Sequence, residues 1–75
     1  MFSKCELKLI KLNFIYMKEE FINNKKAVIE NVTREFLSIF NLHIYDVHDI
    51  FLDYFLDTTT LECAVGKFEQ LIFGE

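Results

Sequence analysis

Apolar side chains recur along this chain at helical intervals, and the recurrence divides it into four stretches. In residues 17–40 (MKEEFINNKKAVIENVTREFLSIF) Phe21, Val28, Val32, Phe36 and Ile39 stand three, four or seven positions apart, flanked by Ile22, Ile29 and Phe40. At about 3.6 residues per turn they fall in one arc, the pattern of a helix that packs by one side. Glu19, Glu20, Glu30 and Arg34 take the other side, with Glu30 one turn ahead of Arg34 in the orientation that favours an ion pair. Asn23-Asn24 is the weak point, where a kink or a fresh N-cap divides the segment. Asn41 tolerates the left-handed conformation that ends many helices and reads as the stop.

Residues 44–57 (IYDVHDIFLDYFLD) put Ile44, Val47, Phe51, Tyr54 and Phe55 on one side, while Tyr45, Leu52 and Leu56 carry the apolar surface past half the circumference. Asp46, Asp49, Asp53 and Asp57 fill the narrow polar strip that remains. A helix apolar around most of its girth is buried on several sides, so this one belongs at the centre of the structure or of an interface. Thr58-Thr59-Thr60 interrupts the pattern, since hydroxyl and β-branched residues in a row favour caps over helix interior. Thr59 with Glu62 three positions on has the form of a capping box, opening a last helix over 60–73 with Leu61, Ala64, Val65, Phe68, Leu71 and Ile72 on one stripe. Gly74 closes it.

Residues 4–16 fit two periods. Cys5, Leu7 and Leu9 alternate with Lys4, Glu6 and Lys8 as in a strand, yet Leu7, Ile10, Phe14 and Met17 also fit a helix that continues the stripe of Phe21. A lone strand has no partner in an otherwise helical chain, so helix is the preferred reading. Met17-Lys18-Glu19-Glu20 would serve as a translation start, and residues 1–16 are therefore set apart as an N-terminal extension to a helical domain over 17–75. The fold these segments predict is all-α, a small three-helix bundle whose N-terminal helical extension makes a possible fourth helix.

Composition narrows the classes. Over 75 residues 52% are apolar and 27% charged, enough to fold as one small domain. Twelve acidic residues against eight basic ones leave a net charge of −4, with Arg34 the single arginine, so no nucleic-acid partner is expected. Cys5 and Cys63 lie far apart and outside any CxxC pair, and with His43 and His48 they lack the spacing of a zinc site. Lys4, Glu6, Lys8 and Lys11 interrupt any signal-peptide core, and the longest uncharged run, 36–45, is about half of what crossing a bilayer needs. The expectation is a cytoplasmic protein with no membrane partner and no cofactor. Asn31-Val32-Thr33 has the form of a glycosylation sequon and is read as a coincidence on a helix.

Few residues suggest chemistry. The aspartate strip, with His43 about a turn ahead of Asp46, has the charge to hold a divalent cation, but side chains on one helix diverge, and a solvated face accounts for it. His48 sits at the edge of the apolar surface, where a hydrogen-bonded boundary residue is the ordinary role. No nucleophile elbow and no Gly-rich phosphate loop occurs, so the chain does not read as an enzyme. The helix, Thr-rich turn and helix over 44–73 have the outline of a helix-turn-helix transcription regulator, yet Lys67 and Gln70 stand against Glu62, Glu69 and Glu75 on the helix that would enter the groove.

The remaining signal is apolar surplus. Nine phenylalanines, three tyrosines, nine leucines and eight isoleucines exceed what three helices of this size enclose. The functional expectation is a non-catalytic interaction module or regulator that binds a protein partner or self-associates as a homodimer. The contact residues predicted are Phe51, Leu52, Tyr54, Phe55 and Leu56 of the central helix, with Asp49 and Asp53 setting orientation. A transcription regulator and a metal-binding protein using the aspartate strip are the alternatives.

Overall fold

A computed structural model describes residues 2–27 and 31–74. Val28, Ile29 and the Glu30–Arg34 pair of the sequence reading therefore involve positions outside the described residues. The described elements are all helical: α1 (Lys4–Asn23), the single turn α2 (Lys25–Ala27), α3 (Thr33–Ser38), α4 (Ile44–Phe55) and α5 (Leu61–Phe73).

Residues 4–16 are helical, and α1 runs through residue 16 without a break. It opens on a reciprocal cap: Ser3 Oγ accepts from the Glu6 N–H at 3.2 Å, and the Glu6 carboxylate accepts from the Ser3 N–H at 2.9 Å. Ile10, Phe14, Met17 and Phe21 form its buried stripe, spaced four, three and four apart. Helix α1 ends at Asn24, which is extended and donates its N–H to the Glu20 carbonyl at 2.7 Å. Residues 17–40 are thus not one helix, and the break falls at the Asn pair that the sequence marked as weak.

With no proline and only two glycines, the chain closes two helices on left-handed residues of other types. Asn41 has φ 57°; its N–H donates to Ser38 O and the Leu42 N–H to Leu37 O, the paired bonds of a Schellman ending. Asp57 repeats the device after α4 with φ 62°, its N–H bonded to Tyr54 O and that of Thr58 to Asp53 O. Ile39 keeps helical dihedrals but lies about a third of a turn from the arc that α3 buries, Thr33, Phe36 and Leu37, and is 76% exposed. The N-cap of α5 is Thr60, one residue past the predicted box, and its hydroxyl accepts from the Cys63 N–H at 3.2 Å.

Helix α4 packs against α1, α3 and α5, the central position its wide apolar surface implied. The core gathers around Phe14, whose ring centroid lies 5.0 Å from that of Phe51, 5.5 Å from Phe68, and 6.1 Å from both Phe36 and Tyr54. Seven of the nine phenylalanines are buried: Phe2, Phe14, Phe21, Phe36, Phe51, Phe55 and Phe68. Each contributes about 1.5–3 kcal/mol by burial, and well-placed ring pairs add about 0.5–1.5 kcal/mol.

The first residues are tied into this core. Phe2 packs its ring on Phe68, Phe73 and Phe40, and its N–H donates to a Glu69 carboxylate oxygen at 2.9 Å. Residues 2–16 thus contribute Phe2, Ile10 and Phe14 to the core. The radius of gyration is 11.4 Å, against roughly 11 Å for a compact monomer of this length. Accessible surface is 5130 Å², against roughly 4,900 Å² for a folded monomer of this mass. Among the described residues no helix is long and apolar enough to cross a membrane.

Candidate functional site

The aromatic contact surface predicted on α4 is interior. Phe51, Tyr54 and Phe55 are all buried, Leu52 is half-buried, and of the predicted apolar contacts only Leu56 is exposed. Three neighbouring helices cover α4, and α1, set apart as an extension in the sequence reading, supplies the layer that was missing from the core. Asp49 is fully open to solvent beside His48, Nδ1 to Oδ1 3.6 Å, and Asp53 is half-buried and accepts from the Thr58 hydroxyl at 3.3 Å.

The other aspartates of the strip hold the fold. Asp46 accepts from the His43 N–H at 3.1 Å while His43 Nδ1 accepts from the Tyr45 N–H at 3.3 Å, so this pair caps α4. Asp57 pairs with Lys18 of α1, whose ammonium also lies 4.6 Å from the centre of the Tyr54 ring. Among the described residues no three of His, Cys, Asp and Glu are grouped to hold a metal ion.

Two inward recesses flank α4. Thr33, Ile44, His48, Phe51, Leu52 and Phe55 line a cavity of about 10 Å³, at the lower limit for one water. Thr33 Oγ1 is buried there without a hydrogen-bond partner, so it and His48 do not form a hydrogen-bonded nucleophile and base. A wider recess of about 340 Å³ has Arg34 and His43 beside Leu37, Leu42 and Ile44. Cys63, exposed in the first turn of α5, has its thiol held below the usual range by hydrogen bonding to Thr60 and then Thr59.

Large apolar side chains are exposed at Ile39, Tyr45, Leu56, Leu71 and Phe73, and a regularly spaced set lies on the outside of α1. Cys5, Leu9, Leu12 and Tyr16 follow at four, three and four residues, and all are exposed, Leu9 60%, Leu12 52% and Tyr16 51%. At 100° per residue this stripe lies well over a third of a turn from the one that packs inward, so α1 is apolar on two sides. Beside Tyr16 a groove of about 240 Å³ runs between α1 and the end of α3, lined by Asn13, Val32, Glu35, Phe36 and Ile39. Sequence reasoning passed over these residues because Cys5 and Leu9 were taken into the strand alternation. Their spacing, a heptad-like seam, was the available signal.

Charge is divided along the same helix. Lys4, Lys8 and Lys11 occupy its first half, with Glu6 engaged in the cap, and Glu19 and Glu20 its last turns, with Lys18 engaged by Asp57. Comparison with known proteins gives no match to a family model, a curated sequence or a solved structure.

Proposed function

We propose that this chain is a small, non-catalytic helical protein that works by contact, and that its contact surface is the outer face of α1. One observation carries the reading: Cys5, Leu9, Leu12 and Tyr16 form a continuous exposed seam on a helix whose other side anchors the core. A folded monomer has no packing reason to repeat apolar residues at seam spacing on its solvent side, and such surfaces mark interaction sites. The surroundings agree. Lysines and glutamates border the seam, as charged residues border the apolar centre of an interface.

Retention from an extract of the native host tests this. The tagged wild-type protein retains a partner, or untagged copies of itself, that Leu12→Asp does not retain. Leu12 is half-exposed, so the variant keeps the helical circular dichroism of the wild type. Equal retention by the two proteins removes the α1 face from the reading.

A further inference from the structure

We infer that the outer face of α1 pairs with the same face of a second copy of this chain, the two helices running antiparallel; this rests on the contact reading above and names its occupant. The seam spacing selects a helix as occupant. Residues four, three and four apart keep in line along a slightly wound helix and intercalate best with a second helix of the same spacing. Among the described residues α1 is the helix with such an exposed stripe, so a second copy supplies the complement without further assumption.

Charge selects the direction. A parallel pair sets Lys4 and Lys8 beside their own copies at one end, and Glu19 and Glu20 beside theirs at the other. Reversing one helix brings the lysine end of each copy to the glutamate end of the other and opposes the two helix dipoles. Register then follows from the seam. In antiparallel helix pairs the alternate seam positions meet across the interface, which sets Cys5 against Tyr16 of the second copy and Leu9 against Leu12 of the second copy. All four layers are filled, and Lys4 comes within one turn of Glu19 of the second copy.

Extent sets the strength. The seam spans about 16 Å of helix and exposes on the order of 500 Å² per copy, which with its mate reaches the lower end of specific interfaces. Association is therefore concentration-dependent, and the core folds without it.

Thiol cross-linking reads the arrangement directly. In a Cys63→Ser background, Cys5 faces Tyr16 of the other copy, so the variant that also carries Tyr16→Cys is expected to cross-link under mild oxidation. Peptide mapping then finds the bond between position 5 of one chain and position 16 of another. The two positions are about 16 Å apart along one helix, too far for a bond within a chain. Cys63→Ser alone stays uncross-linked, while a Leu9→Cys and Leu12→Cys pair, mixed in a Cys5→Ser, Cys63→Ser background, forms the heterodimer.

Bonds joining like positions, Cys5 to Cys5 in particular, overturn the antiparallel arrangement. A sedimenting mass of one chain at every concentration, with no cross-link in any variant, overturns self-pairing altogether. If retention of another protein through Leu12 persists in that case, the contact reading stands and only its occupant was wrong; if it is lost too, both fall.

Discussion

Two substitutions two residues apart on α1 separate its roles. Phe14 is fully buried at the centre of the aromatic cluster, whereas Leu12 is half-exposed on the outer seam. Phe14→Ala removes a ring that contacts Phe36, Phe51, Tyr54 and Phe68, and leaves a cavity that four helices must close. Deletions of this kind cost about 3–5 kcal/mol. A 75-residue domain has roughly 4–11 kcal/mol in total, so the loss takes about a quarter of it or more. At about 4–8 °C per kcal/mol, the melting temperature falls by roughly 12–40 °C. Leu12→Ala costs less than about 1 kcal/mol in the monomer, since half of that side chain already meets water. Urea unfolding followed by far-ultraviolet circular dichroism, at a concentration low enough to leave single chains, measures both midpoints. Equal costs, or a larger one for Leu12→Ala, would show that α1 presents the opposite side to the core and refute the packing argued above.

Deleting residues 1–16 removes Phe2, Ile10 and Phe14 together and should abolish the cooperative transition; a truncated chain that unfolds with the wild-type midpoint would show the segment to be dispensable. Thr33→Val replaces a buried, unpartnered hydroxyl by a methyl of similar volume and should raise stability by about 1 kcal/mol, seen as a higher melting temperature; a fall would mean the hydroxyl is bonded in solution. Glu6 is held below the usual carboxylate range by the Ser3 backbone N–H and then the Ser3 hydroxyl. A depressed folded value means that the stabilisation is complete above the ordinary value of 4.5 and is lost as pH falls through the folded one. Glu6→Gln should therefore flatten that part of the acid limb of a stability–pH curve, and an unchanged limb would remove the cap from the explanation. The thiol of Cys63 should alkylate at lower pH than an ordinary cysteine, with Thr60→Val moving the profile upward and Thr60→Ser preserving it; iodoacetamide labelling followed by peptide mass decides, and coincident profiles count against the Thr60 bond.

The legible and illegible parts of this fold divide along a physical line. Period and caps report on residues near one another in sequence. Asn41 was readable as a stop because few side chains tolerate a positive φ, and the stripe from Ile10 to Phe21 was readable as a helix. The matching turn at Asp57 was hidden by the three threonines behind it, which look like the stronger break. Ile39 was misplaced because the arc that α3 buries centres on Thr33, Phe36 and Leu37, which leaves Ile39 about a third of a turn to one side.

Which apolar face is left uncovered is a different kind of quantity, since it depends on how many layers the tertiary structure stacks. Counting three helices makes the phenylalanines of α4 surplus. Counting α1 as a fourth gives Phe51, Tyr54 and Phe55 their cover, while Leu9, Leu12 and Tyr16 on its outer side stay exposed. The surplus assigned to α4 came from leaving α1 out of the count of layers, and seven of the nine phenylalanines are buried within the single chain. Two apolar stripes on α1 blur the amphipathic signal that would have distinguished them, and Lys4, Glu6 and Lys8 between them imitate a strand. A helix that is apolar on two sides, one building the core and the other exposed, is therefore the element that period alone resolves least.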